Sequence, residues 1–340
     1  MAGRVTNDHP NRPRTPPAFL SPHAYAEIAA VAAGRNETEA RVSELKVLVP
    51  LDGSRLAENS LVYLDALRSL GESKVLLVSV VDETEDYHSL TPSQALERET
   101  NLLATYLREV ESDLERYLGI EVETKVVIGT PAEALLAEAH EARPDLLVIS
   151  THGRTGITRW RLGSVADKLV RGAPCDTLVV GPRAAECTTW LEARILEPFR
   201  SVLVPLDGST LAEQALPVAK TFADSFGSTL HLVRVVGVPP AGDGFGGEYP
   251  YAPQLIDSLV EGAKAYLAGV AAGLGDYQVE TAAPLGYAAL QLEEYIDAKG
   301  IDLVIMTSHG RGGIARAALG SVTDRLLGGK APVLVVRARK

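Results

Sequence analysis

The chain of 340 residues carries 33 basic against 44 acidic side chains, a formal charge of −11, with 46% of positions apolar and 23% charged. That balance fits globular domains with their own cores and argues against two classes: no uninterrupted apolar run is long enough to span a bilayer, and no overall basic field attracts nucleic acid. Two cysteines, Cys175 and Cys187, are too few for a disulfide framework and the opening MAGRVTNDHPNRPRTPP lacks the apolar core of a secretory leader, so the expected compartment is a reducing cytoplasm.

Residues 1–44 hold Pro10, Pro13, Pro16, Pro17 and Pro22, then an alanine-rich run from Ala24 to Ala33 closed by Gly34. They read as a flexible arm with one short helix. From 45 to 183, five brief β-branched runs, Lys46–Leu51, Lys74–Val81, Glu121–Ile128, Leu146–Ser150 and Thr177–Gly181, predict buried parallel strands separated by longer helical stretches. Residues 184–200 form a linker in which Trp190, Leu191, Ile195 and Phe199 are apolar enough to dock on a domain surface. From 201 to 340 the alternation returns, with strands expected at Ser201–Leu206, Ser228–Val236, Tyr277–Ala283, Asp302–Thr307 and Pro332–Arg337. After the first of these, Leu211, Ala215, Val218 and Phe222 fall at i, i+4, i+7 and i+11, one apolar stripe of a single helix.

The two halves also repeat in detail. Val49-Pro50-Leu51-Asp52-Gly53-Ser54 recurs as Val204-Pro205-Leu206-Asp207-Gly208-Ser209, and Ser150-Thr-His-Gly153-Arg-Thr-Gly156 with Leu-Gly163-Ser164-Val recurs as Thr307-Ser-His-Gly310-Arg-Gly-Gly313 with Leu-Gly320-Ser321-Val. A unit of roughly 150 residues is a domain, whereas a solenoid unit of about 20–50 cannot bury a core alone. Strands alternating with helices, joined by right-handed crossovers, predict an α/β fold: two tandem doubly wound five-stranded parallel sheets, Rossmann-like, order 3-2-1-4-5, with helices on both faces.

Ligands of such sheets collect at the carboxyl ends of the strands where the winding reverses. Asp52 and Asp207 end strand one of their repeats, and Gly153 and Gly310 follow strand four, so each aspartate and its glycine loop converge on one crevice. Glycines let backbone N–H groups approach an anion, and Gly163-Ser164 or Gly320-Ser321 opens the fourth helix, whose free N–H groups and positive dipole end favour phosphate. The alternative is structural, with Ser164 and Ser321 as ordinary N-caps.

These loops resemble those of the universal stress protein family, whose nucleotide-binding members carry glycine, two residues, glycine, nine residues, glycine, then serine or threonine. The likeness covers about residues 45–182 and 200–338 and includes the Val-Pro-Leu-Asp-Gly-Ser openings. It implies ATP, with Mg as an accompanying ion, and phosphates against Gly153, Gly163 and Ser164 in one half and Gly310, Gly320 and Ser321 in the other. Asp52 and Asp207 would face ribose or a phosphate-bound metal, while Pro50 and Val80, matched by Pro205 and Val235, would line the adenine slot. Arg154 and Arg311 are candidate phosphate partners or solvated surface arginines. The chain departs from the family pattern at the loop's leading glycine, which is Ser150 here and Thr307 in the second half. A side chain there narrows the approach to ribose or phosphate, and its hydroxyl could also donate a hydrogen bond. In the second half Tyr287 stands where the first has Thr130 or Pro131 after Gly129, and the stretch 237–253 is long and glycine-rich. Within it Gly242-Asp-Gly244-Phe-Gly-Gly247 satisfies a dinucleotide fingerprint without opening a helix after a strand, and no lysine follows any glycine loop as in a P-loop.

His152 and His309 recur at matched loop positions, but histidines beside a glycine turn commonly hold the loop, so no catalytic residue is assigned. Three readings follow: an ATP-binding regulator or sensor of stress response read by unknown protein partners, a slow ATP hydrolase, or a nucleotide-free structural member of the family. The apolar runs Leu178–Val180 and Val333–Val336 are fifth-strand edges that predict pairing of the two halves with each other, and a homodimer is a further expectation.

Overall fold

The structure is a computed structural model that describes residues 44–83, 91–151, 162–181, 190–191, 198–237, 253–308 and 319–338. The predicted arm helix, His152, Gly153, Arg154, Cys187, Ile195, the 242–247 glycine run, His309, Gly310 and Arg311 lie outside the described residues.

In the first half β1 (Leu45–Pro50) leads into short helices α1 (Arg55–Glu58) and α2 (Leu64–Leu67), with 3-10 turns at Asn59–Tyr63 and Arg68–Leu70. β2 (Ser73–Val81), α3 (Pro92–Leu118), β3 (Glu121–Ile128), α4 (Pro131–Ala142), β4 (Leu146–Ser150), α5 (Ser164–Gly172) and β5 (Asp176–Val180) follow. The second half runs β6 (Ser201–Pro205), α6 (Thr210–Glu213), α7 (Leu216–Phe226), β7 (Thr229–Val233), α8 (Pro253–Leu274), β8 (Val279–Ala282), α9 (Ala288–Lys299), β9 (Leu303–Thr307), α10 (Ser321–Leu326) and β10 (Val333–Val336).

Each half has the strand order expected, and the two sheets join through their fifth strands, as the apolar edges predicted. They form one ten-stranded sheet, β3-β2-β1-β4-β5-β10-β9-β6-β7-β8, parallel within each half and antiparallel where β5 meets β10. Val333 pairs with Val179, Leu334 with Leu178 and Val335 with Thr177. Two apolar edges that would each template pairing with another chain therefore satisfy one another. Beyond the ladder, the Arg337 N–H donates to the buried Asp176 carboxylate at 2.8 Å, and the Arg337 guanidinium donates to the Ala173 carbonyl. At the other end of β5, a Cβ on Gly181 would fall 2.9 Å from the Gly329 carbonyl oxygen, so only glycine allows that approach.

Both faces of the sheet are covered, as parallel strands require. Of the linker residues expected to dock, Trp190 and Phe199 are buried in the same core, whereas Leu191 is 40% exposed. The Phe199 ring stacks on Tyr63 of the first half at 5.8 Å and meets Phe222 and Phe226 of the second edge-on, each at 5.2 Å. It holds this place with φ of 59°, an uncommon left-handed setting for a residue with a side chain.

Two local expectations change. The stripe of Leu211, Ala215, Val218 and Phe222 is split between α6 and α7, because Pro217 has no N–H to continue a helix and sits in the first turn of α7. β7 and β8 are shorter than predicted, ending at Val233 and Ala282, and pairing resumes only as a single Val236–Leu285 bridge. Pro284, which cannot donate to a ladder, lies in that gap.

Candidate functional site

The crevice at each switch point is opened by a proline. In β1 the odd residues bond toward β2, as Leu51 N–H does to the Val78 carbonyl at 2.9 Å, and the even residues face β4, as the Lys46 carbonyl does in accepting from Asp145 N–H at 2.9 Å. Pro50 is even, so the position facing β4 has no donor. The β1–β2 ladder accordingly runs to Pro50–Val78, while the β1–β4 ladder stops at Leu48–Leu147. The second half repeats this with opposite parity: Leu206 N–H bonds to Val233, the Ser201 carbonyl accepts from Asp302, and Pro205 faces β9. There the β6–β7 ladder reaches Pro205–Val233 and the β6–β9 ladder stops at Leu203–Val304. Pairing between strands one and four thus ends before their carboxyl ends in both halves, a role for the proline that the sequence reading missed although its parity was countable.

Asp52 and Asp207 stand just past these prolines, half-buried. Asp52 Oδ1 accepts from Ser54 N–H at 2.9 Å, and Asp207 Oδ1 accepts from both the N–H and the hydroxyl of Ser209, at 2.9 and 2.6 Å. Gly53 and Gly208 make the turn at φ of 79° and 86°. Ser54 and Ser209 then cap α1 and α6, each hydroxyl oxygen accepting the N–H three residues on at 3.2 Å. The recurring Asp-Gly-Ser is therefore a strand-to-helix turn that fixes one carboxylate oxygen of each aspartate.

Across the crevice stand the starts of α5 and α10. Their N-caps are Gly163 and Gly320, without a side-chain cap bond, and Ser164 and Ser321 are exposed first residues of the helices. The serines are not the N-caps that the structural alternative expected, because the extended cap position belongs to the glycine. The first-turn N–H groups of α5 thus have no side-chain acceptor from the cap residue. The two glycines differ: a Cβ on Gly163 would lie 2.9 Å from the Thr151 carbonyl oxygen, whereas at Gly320 the nearest atom would be 3.6 Å away.

Ser150 and Thr307 end β4 and β9, paired with Val180 and Val336 and buried at 8% and 4% exposure. They are packed strand residues that do not stand out at the rim. Val80 and Val235 are half-buried, whereas Val78 and Val233 just before them are fully buried. Asp167 on α5 is half-buried and accepts from the Arg171 guanidinium at 2.6 Å, while the matching Asp324 on α10 is exposed.

One matched pair beside the aspartates went unread. Tyr106 on α3 donates its hydroxyl to Glu58 at 3.0 Å, and Tyr266 on α8 donates to Glu213 at 2.8 Å. Burial, with the neighbouring carboxylates, pushes both phenols up, so both remain protonated donors. In the second half the Arg234 guanidinium also lies 4.8 Å from the Tyr266 ring centre, where the first half has the buried Ser79 bonding to the Leu51 carbonyl. The 48- and 53-residue separations hide these pairs from any local motif. Cys175 is half-buried, its thiol pushed up to about 12 by burial and by Asp176, and it has no thiolate reactivity at neutral pH.

A tandem doubly wound α/β fold with two equivalent switch-point crevices is the class these features define. The family model described as the universal stress protein family matches residues 45–181 and 198–337, and the chain belongs to that family. Two universal stress proteins of Methanocaldococcus jannaschii are each 29% identical to it, over 139 and 152 residues, covering 40% of this chain and 81% and 93% of their own lengths. A solved universal stress protein from Archaeoglobus fulgidus shares the fold, with a TM-score of 0.62 at 18% identity over 86% of this chain and 96% of that one. Among the described residues no helix is long and apolar enough to cross a membrane.

Proposed function

We propose that the protein binds ATP at the switch point of each half and serves in stress response as a cytoplasmic regulator whose occupancy is read by protein partners. The observation that carries this reading is the crevice itself: a turn-fixed carboxylate on one wall, a glycine-capped helix start on the other, and a proline that keeps the strands between them from pairing, all repeated in both halves. A carboxylate held in this way can accept from ribose hydroxyls, and the free N–H groups and dipole at the start of α5 suit phosphate oxygens. Gly153, Arg154, Gly310 and Arg311 complete the phosphate side in this reading. Family membership supports the stress-response role.

The described residues contain no cluster of three or more metal-ligating side chains. Magnesium would accordingly be held by the nucleotide's own phosphates with one aspartate, the usual manner for this ion. The test is equilibrium binding of radiolabelled ATP to dialysed protein. Two ATP per chain are expected, and absence of saturation up to millimolar ATP would sink the reading.

A further inference from the structure

The two halves differ most openly at one corner of the crevice. Tyr287 is 80% exposed, and Leu285 and Leu290 beside it are each 40% exposed. Counting from the matched glycines Gly129 and Gly286, the first half carries polar Thr130 and Glu133 where the second carries Tyr287 and Leu290. Those glycines have nearly the same φ, 148° and 146°, so the strand-to-helix turn is built alike in both halves.

The turn places Tyr287 next to the slot. Gly286 N–H donates to the Val236 carbonyl at 2.9 Å, Val236 N–H donates to the Pro284 carbonyl at 2.8 Å, and Val236 directly follows Val235. Across the carboxyl ends of the second half the order is therefore Leu285–Tyr287, Val235, Asp207, then the end of β9 and the start of α10. Phosphate would occupy the α10 end, which leaves the Tyr287 end for the part of the ligand without charge. The backbone at Tyr287 is already committed, since it is the cap of α9 and its carbonyl accepts from Gln291 N–H at 3.0 Å.

We propose that Tyr287 presents an aromatic face to the base of a nucleotide in the second half, and that the two sites are unequal because the first has no such ring. This rests on the nucleotide reading above. A phenol ring with two side-chain torsions loses little freedom when a base stacks on it, and such stacking tolerates any base because each has a π-face. Leu290 adds an apolar side chain where the first half has Glu133, while Leu285 matches Ile128, itself 50% exposed.

The experiment is calorimetric titration of the full chain with ATP, for the wild type and for Tyr287→Phe, Tyr287→Leu and Tyr287→Ala, with thermal midpoints to show that each variant keeps its fold. The expected result is two classes of site in the wild type and in Tyr287→Phe, with the tighter class weakened about tenfold in both Tyr287→Leu and Tyr287→Ala. If ATP binds but Leu or Ala leaves both classes unchanged, the stacking proposal is overturned and the nucleotide reading stands. If Tyr287→Leu binds like Tyr287→Phe, apolar bulk and not the ring is responsible, and the proposal also falls. If the wild type binds no ATP at all, the nucleotide reading fails and takes this one with it.

Discussion

At the scale of single residues, matched positions carry unmatched demands. Gly163 and Gly320 are interchangeable in the motif, yet only Gly163 lies against a backbone carbonyl that cannot move aside. Gly163→Ala should cost about 1–3 kcal/mol in urea unfolding, as overpacking does, while Gly320→Ala should stay within about 1 kcal/mol of the wild type. His231 is another asymmetry, a buried ring on β7 where the first half has Leu76. It faces Glu280 of β8, 3.6 Å away, and Tyr295 and Lys299 of α9, with Tyr295 Oη 3.1 Å from its Nδ1. Burial lowers its pKa below the ordinary 6.5, outweighing the pull of Glu280. Between that lowered value and 6.5 the unfolded chain holds a proton that the folded chain does not, so stability rises with pH there and is lost as pH falls from 6.5. Denaturant unfolding across pH 5 to 8 should show this slope in the wild type and a shallower one in His231→Leu; equal slopes would clear His231 of the effect.

Among the elements, the strand-one prolines and the linker aromatic have the largest consequences. Replacing Pro50 and Pro205 by valine restores an N–H toward β4 and β9, so the parallel ladders can lengthen and narrow both crevices. The double variant should be at least as stable thermally and bind ATP at least tenfold more weakly; unchanged affinity would show that the prolines do not hold the crevice open. Phe199 packs on aromatic rings from both halves, so Phe199→Ala should cost about 3–5 kcal/mol. These elements were unevenly legible. β3 and β4 match their predicted spans, β4 because Leu146–Ile149 is a continuous apolar run and β3 because Val122, Thr124 and the apolar residues 126–128 keep β-favouring side chains among its charged ones. The helix after β6 was misread because periodicity records which side chains face inward, not whether Pro217 lets the backbone continue.

For the whole molecule, the decisive feature is the β5–β10 join. It uses up both apolar fifth-strand edges and leaves β3 and β8 as outer edges, which carry Glu121, Glu123, Lys125 and Glu280 against edge-to-edge pairing. A homodimer would have to use a different face from the one that joins the halves. Since the join, Phe199 and the Asp176–Arg337 bond all tie the halves together, calorimetric unfolding should be a single transition, and Phe199→Ala should separate it into two. A single transition in that variant would assign the coupling to the β5–β10 ladder and the Asp176–Arg337 bond.

The sequence by itself determined the duplication, the order of strands in each half, the converging aspartate and glycine-serine positions, and the family, because repeated motifs and residue periodicity are local properties of the chain. Tertiary structure alone decided the antiparallel register in which the two fifth strands join, that Ser164 and Ser321 follow their caps instead of forming them, and that Tyr106 and Tyr266 bond to Glu58 and Glu213. Those outcomes depend on strand parity, on which backbone atoms meet across a turn, and on side chains brought together from about fifty residues apart. Hydrogen-bond and steric partners of that kind exist only once the chain has closed on itself.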